Sequence, residues 1–220
     1  YATGLAAYNA AQKLVEELKN RLSIIWEANV DQINFSKGTF SFESESIHIQ
    51  DLAGKLDPSG GPATSTASVN LDSAGNAFGA HICDLEVDLE TGKTDVIRYT
   101  AVQDVGTAVY PKYCEGQIQG GVVQGLGWAL NEEYFITEDG VMANKSYLDY
   151  RMPTSLDMPM IDAIMVEVPN PLHPFGVRGV GEVTLAPPLA AAALAVKEAT
   201  GKRHFDLPVK PGRIMDLYKS

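Results

Sequence analysis

The chain has 220 residues, 45% of them hydrophobic and 20% charged, so it can bury an ordinary core and is not a disordered segment. Its net charge of −11 repels a phosphate-lined duplex, which argues against nucleic acid as a partner and otherwise favours solubility. No apolar run reaches the roughly 20 residues of a membrane span, and the N-terminus lacks the basic and apolar regions of a secretion signal.

In chain order, Leu5, Tyr8, Ala11, Val15, Leu18, Leu22 and Ile25 recur at three- and four-residue steps, which predicts an amphipathic helix over about 4–27. The chain begins inside that helix, as a piece of something longer would. Residues 29–50 alternate short β-prone stretches with turns. Residues 57–62 (Asp-Pro-Ser-Gly-Gly-Pro) are the densest breaker cluster and read as a surface loop, with a sub-lobe boundary as the alternative. Strands follow near 78–89 and 94–103, joined by Glu90-Thr-Gly-Lys93 as a hairpin. In the first, His81, Cys83, Leu85 and Val87 share one face. A glycine-rich helix is expected near 112–131, a second hairpin around Glu138-Asp-Gly140, and a strand over Ala163 to Val168. The last helix spans about 187–200, with Gly201 at its C-cap. Helices and strands do not alternate regularly, so the fold class is α+β with mainly antiparallel strands.

Chemistry concentrates in two segments. Gly176-Val-Arg-Gly-Val-Gly-Glu182 holds three glycines before one carboxylate and leads into a helix start, where N–H donors converge on an anionic or electrophilic group. A carboxylate delivered there, away from bulk water, is a candidate general base. The plainer reading is a glycine turn with Glu182 stabilised near a helix start. The second segment, Gly116-Gln-Ile-Gln-Gly-Gly-Val-Val-Gln-Gly-Leu-Gly127, carries five glycines inside a helical pattern. Each costs a helix about 1 kcal/mol against alanine. Close helix packing would account for Gly120 and Gly127; close approach of a bulky ligand is the alternative. Gln117, Gln119 and Gln124 are neutral hydrogen-bonding groups suited to a polar heteroaromatic ligand.

Other residues carry weaker signals. Cys83 and Cys114 form no CxxC or Cys/His cluster, so no iron–sulfur cluster or structural zinc is built from this chain alone. Two lone thiols fit a reducing compartment, and a cytoplasmic location is expected. His48, His81, His173 and His204 lack ligand spacing, and Arg178 reads as a structural ion-pair partner.

The glycine-rich helix motif, Tyr150-Arg-Met-Pro-Thr-Ser-Leu-Asp157, and Asn170-Pro-Leu-His-Pro-Phe-Gly-Val-Arg-Gly-Val-Gly-Glu182 resemble three ordered motifs of the xanthine oxidase family of molybdopterin hydroxylases. That family includes xanthine dehydrogenases, aldehyde oxidoreductases and carbon monoxide dehydrogenases, and the resemblance covers essentially the whole chain. It implies that 1–220 is a C-terminal portion of a molybdenum cofactor-binding domain, acting on an aldehyde or N-heterocycle with water as oxygen source. In the family, the glutamate ending the Gly-Val-Gly-Glu loop lies beside the molybdenum and deprotonates a metal-bound hydroxyl; Glu182 matches it. Gln117 matches a glutamine that contacts the pterin, and Val180 and Gly181 match backbone lining the metal site. Gln124, on the same helix, is a further cofactor candidate. No residue of this chain is expected to ligate the metal. The pterin is carried either in its simple form or as the cytosine dinucleotide.

The resemblance further implies partners: the remainder of the large subunit, iron–sulfur (2Fe-2S) and FAD subunits or domains, and a small-molecule substrate. Because upstream cofactor loops lie outside this chain, the isolated chain is expected to bind no cofactor tightly and to be inactive. The alternative is a non-catalytic domain of the same fold serving subunit interaction. A nucleotide-binding module fits less well, since neither glycine stretch follows the G-x-G-x-x-G or P-loop pattern.

Overall fold

Leu14, Val15, Leu18 and Leu22 recur at helical spacing, and the helix they dictate, α1 (Ala2–Ile25), turns this side onto Ile33, Phe40, Leu52 and Leu56. The partners come from a three-stranded antiparallel meander, β1 (Asn34–Ser36), β2 (Thr39–Phe42) and β3 (Glu45–His48), and a short helix α2 (Ile49–Ala53). Phe35 and Phe40 stack with centroids 4.5 Å apart. The breaker cluster 57–62 starts with a single 3-10 turn (Asp57–Ser59), ended by Gly60 at φ 115°. Arg21 of α1 donates to the carbonyls of Ser59 and Gly61, so this loop is held to the first unit. The computed structural model describes residues 1–70 and 75–218 and divides the chain into two units, Tyr1–Ser73 and Ala74–Ser220.

The second unit is built on the hairpin of β4 (Gly79–Val87) and β5 (Thr94–Asp104). Gly92, at φ +73°, makes the turn that Glu90-Thr-Gly-Lys93 predicts. Alternation places His81, Cys83, Leu85 and Val87 on the partly buried face of β4, as expected. The helix α3 (Pro111–Leu130) then crosses over to β6 (Ile161–Val166), which pairs parallel to β5. The strand expected at 163–168 thus begins two residues earlier and is the one parallel member among the described strands. The hairpin expected around Gly140 is reduced to an isolated bridge between Ile136 and Met142.

Helix α4 (Ala186–Thr200) ends at Gly201 in the left-handed conformation, the C-cap its sequence predicts. Helices α3 and α4 bury Ile118, Val122, Leu126, Ala129 and Ala192 against Tyr99, Ala101 and Val105 of the sheet face. Each of the valine, isoleucine and leucine side chains contributes about 1.5–3 kcal/mol, and each alanine under about 1 kcal/mol. A final helix, α5 (Pro211–Tyr218), is preceded by Lys210, which pairs with Glu133, and its Arg213 reaches Glu133 Oε1 at 3.1 Å. The first unit joins helices to an antiparallel meander and the second joins helices to a mixed sheet, an α+β architecture.

Candidate functional site

The loop that delivers Glu182 is fixed at its start by the end of β5. Gly106, at φ +66°, bridges to Val177; a Cβ there would collide with the Gly176 carbonyl. Thr107 N–H donates to Gly176 O at 2.8 Å, and Arg178 N–H to Val105 O at 3.1 Å. Asp104 Oδ2 lies 2.9 Å from Arg178 Nε, with both side chains about nine-tenths buried. Asp104 Oδ1 also accepts from Gly106 N–H at 2.9 Å, and Arg178 Nη1 donates to Asn76 O at 2.6 Å. Asn170 closes the inside of the loop: its Nδ2 donates to Val177 O and its Oδ1 accepts from Leu172 N–H. His173 is buried and its Nδ1 accepts from Phe175 N–H.

Beyond that anchor the chain opens. Gly179, Gly181 and Glu182 are exposed, while Val180 packs its side chain on the core and can offer only backbone. Among the described residues, the N–H groups of Gly179, Val180, Gly181 and Glu182 donate to no backbone acceptor. The side-chain oxygen of Gln117, exposed on α3, comes within 3.3 Å of where a Cβ on Gly181 would stand. The structure therefore brings Gln117, Val180, Gly181 and Glu182 together. Gln124 stands two turns further along α3 and lines a cavity of about 660 Å³ with Trp128, Glu132, Tyr134 and Tyr150. Burial, then the Glu132 carboxylate, hold the Tyr150 phenol above its ordinary range. Gln119 turns the other way, to Ile161 O at 3.4 Å.

The glycines of α3 divide by face. Gly121 and Gly125 let α3 lie against Thr184, Leu185 and Pro188; any Cβ there would collide with them. Gly127 sits against Glu132 and Pro153. Gly116 and Gly120 have nothing within 4 Å, and with Gln117, Gln124 and Trp128 they form an exposed stripe. The packing role expected of Gly120 belongs instead to its neighbour Gly121, since consecutive helical positions point about 100° apart. Gly120 faces open space.

The helix start also differs from expectation. Pro187 and Pro188 in the first turn of α4 have no N–H, and Leu185 N–H is taken by Glu182 O at 3.1 Å. The converging donors of an anion-binding helix terminus are therefore depleted here, and the open N–H groups lie upstream in the glycine loop. Two residues that frame the site, Asp104 and Thr184, carried no recognisable signal in the sequence, and Asn170 headed a motif there without a role of its own. Among the described residues no three His, Cys, Asp or Glu side chains gather where they could hold a metal. No described helix is long and apolar enough to cross a membrane.

The family of molybdopterin cofactor-binding domains matches residues 1–159. The chain is 32% identical over 223 aligned residues to the 6-hydroxypseudooxynicotine dehydrogenase complex subunit gamma of Paenarthrobacter nicotinovorans, covering 96% of this chain and 28% of that protein. It is 32% identical over 228 aligned residues to the xanthine dehydrogenase molybdenum-binding subunit of Escherichia coli O157:H7, covering 99% and 30%. Among solved structures, quinoline 2-oxidoreductase from Pseudomonas putida 86 superposes with a TM-score of 0.75 at 30% identity, over 96% of this chain and 29% of that one. Reconstituted CO dehydrogenase from Oligotropha carboxidovorans gives 0.79 at 23% identity, a likeness of fold. The chain spans 28% and 30% of the length of these two curated relatives.

Proposed function

This chain belongs to the xanthine oxidase family of molybdenum hydroxylases, as a molybdopterin cofactor-binding domain, and from that membership we propose that it forms one wall of a hydroxylase site. Glu182 serves as general base, and Gln117, Val180, Gly181 and Gln124 contact the pterin. The substrate is an aldehyde or N-heterocycle, with water as oxygen source. The observation that carries this reading is the meeting of the Gln117 amide with Gly181, one residue before Glu182.

The donor set fits such a cofactor. A pterin edge presents neutral donors and acceptors; here a carboxamide lies beside a run of open backbone N–H groups, two of them on glycines. Gly116 and Gly120 leave open space on the neighbouring helix face for a bulky ring. When bound, the cofactor supplies a Lewis acid and an electron acceptor. The chain's own part is different. The buried anchor at Asp104–Arg178 fixes where the loop starts, and the Glu182 carboxylate takes up at one of its oxygens the proton that water releases. Glu182 is exposed in this chain. Cover that removes it from bulk water would come from the rest of a subunit of the relatives' length.

Electrons leave, on this reading, through 2Fe-2S and FAD partner chains in the cytoplasm; the cytosine dinucleotide is a candidate form of the pterin. The test is hydroxylation by the complete assembly in isotopically labelled water. Product carrying the label, with one molybdenum per large subunit, is expected. An assembly that binds no molybdenum and turns over no aldehyde or heterocycle would show a non-catalytic domain.

A further inference from the structure

Thr184 has no exposed surface at all, although it is polar and lies two residues from the exposed Glu182. Its hydroxyl faces three carbonyl oxygens: Gln117 O at 3.5 Å, Val180 O at 3.4 Å and Gly181 O at 3.3 Å. Those carbonyls belong to three of the residues assigned above to the cofactor. In α3 the Gln117 carbonyl already accepts the Gly121 N–H four residues on, so Thr184 addresses its second lone pair. The space for the hydroxyl exists because residue 121 is glycine: a Cβ there would collide with Thr184 Oγ1 and come within 3.0 Å of its Cβ. One hydrogen donor is thus shared between the helix that carries Gln117 and the turn that carries Val180, Gly181 and Glu182.

We propose that Thr184 is a positioning residue, its hydroxyl latching the Glu182 turn into the Gly121 notch of α3 and so setting the Gln117–Gly181–Glu182 arrangement. The inference rests on the functional reading above for its consequence, but not for its geometry. The neighbouring links do not do the same work. Asp104–Arg178 and Asn170 anchor the loop upstream, at residues 170–178, whereas Thr184 is the side chain that ties its downstream end to α3. With the latch released, Gly181 and Glu182 can move relative to Gln117 while the helix packing at Gly125 and Pro188 stays in place.

Three variants separate the hydroxyl from the methyl group. Thr184→Val keeps the shape and loses the donor; Thr184→Ser keeps the donor and loses a methyl; Thr184→Ala loses both without adding bulk. The first readout is amide hydrogen exchange of the full chain at Leu185, whose N–H closes the Glu182 turn on the Glu182 carbonyl; it requires no cofactor. Thr184→Val should exchange there roughly five- to tenfold faster, as for loss of one hydrogen bond, with β5 unchanged, and Thr184→Ser should match the parent. In the loaded assembly, turnover per molybdenum should fall between about 10-fold and 10²-fold in Thr184→Val, the scale of a small misplacement of a reacting group, and recover in Thr184→Ser. If the valine variant does not accumulate, serine against alanine decides: a normal serine variant beside an impaired alanine variant supports the latch. Parental exchange in Thr184→Val, or equal impairment in serine and in valine or alanine, overturns it. Because Glu182→Gln should leave the exchange pattern unaltered, failure of the base assignment and failure of the latch give different results.

Discussion

The side-chain oxygen of Gln117 lies 3.3 Å from the point where a Cβ would stand on Gly181. This is tighter than ordinary van der Waals contact, and the group that must give way is the end of a flexible side chain. Gly181→Ala should therefore fold with little loss of stability but turn the Gln117 amide aside. Cofactor affinity in the assembled enzyme should fall roughly tenfold, the lower end for a disturbed supporting contact. Molybdenum and pterin content per chain, measured beside the thermal midpoint, check this. A large drop in midpoint with full cofactor content would contradict it.

The glycines of α3 give a paired test. Gly120 has open space around it, so Gly120→Ala should stabilise the chain by up to about 1 kcal/mol through helix propensity. A cofactor that needs close approach there would bind less well, so stability and occupancy should move in opposite directions. Gly125→Ala should destabilise by about 1–3 kcal/mol, because its Cβ would collide with the Leu185 backbone. Denaturant titration of both variants, with metal content for the first, reads these effects.

Asp104 and Arg178 form a pair whose side chains are only 10% and 12% exposed. Removing one partner strands the other charge, so Asp104→Ala should cost about 3–5 kcal/mol of stability. A loss within about 1 kcal/mol, the range of exposed pairs, would mean that the loop is held by its backbone bridges and Asn170 alone.

Burial holds His81 and His204 below their ordinary value, with a hydrogen bond involving Gln103 opposing the shift at His81. Between the depressed folded value and the unfolded value of about 6.5, the unfolded chain binds the extra protons. This contribution to stability is therefore present above about pH 6.5 and is lost as pH falls through that value towards the folded one. His81 Nδ1 lies 3.0 Å from the Tyr99 hydroxyl, which can donate only to the neutral ring. Denaturant midpoints at about pH 7.5 and about pH 5.5 should drop more in the parent than in His81→Gln. Equal drops would remove His81 from the account.

Much of the fold was legible because its signals are local. The period of Val15, Leu18 and Leu22, the Glu90-Thr-Gly-Lys93 turn and the Gly201 cap each act within a few residues. The parallel pairing of β6 with β5 was not, since nothing in 161–166 names a partner on the far side of α3. The site divided in the same way. Gly176 to Glu182 stood out as a glycine loop ending in a carboxylate, but its anchor joins Asp104 to Arg178, far apart in the chain. The glycines of α3 signalled close approach without saying which face met protein; only the structure assigns Gly121 and Gly125 to packing and leaves Gly120 open. Pro187 and Pro188 marked a helix start, yet they also strip it of donors.

The central claim is that Glu182 moves the proton, and turnover per bound molybdenum in the complete assembly tests it most directly. Glu182→Gln keeps the size of the side chain and most of its hydrogen bonding, and, being exposed, places no new burden on folding. Because the amide cannot accept the proton, cofactor content should match the parent while turnover per metal falls by at least about 10² to 10⁴, the scale of general-base catalysis. Gln117→Ala should instead lower cofactor content and leave turnover per remaining metal near the parent value. Near-parental turnover per metal in Glu182→Gln would contradict the account, and so would a loss that only follows lost metal, which would make Glu182 a holding group instead of a base.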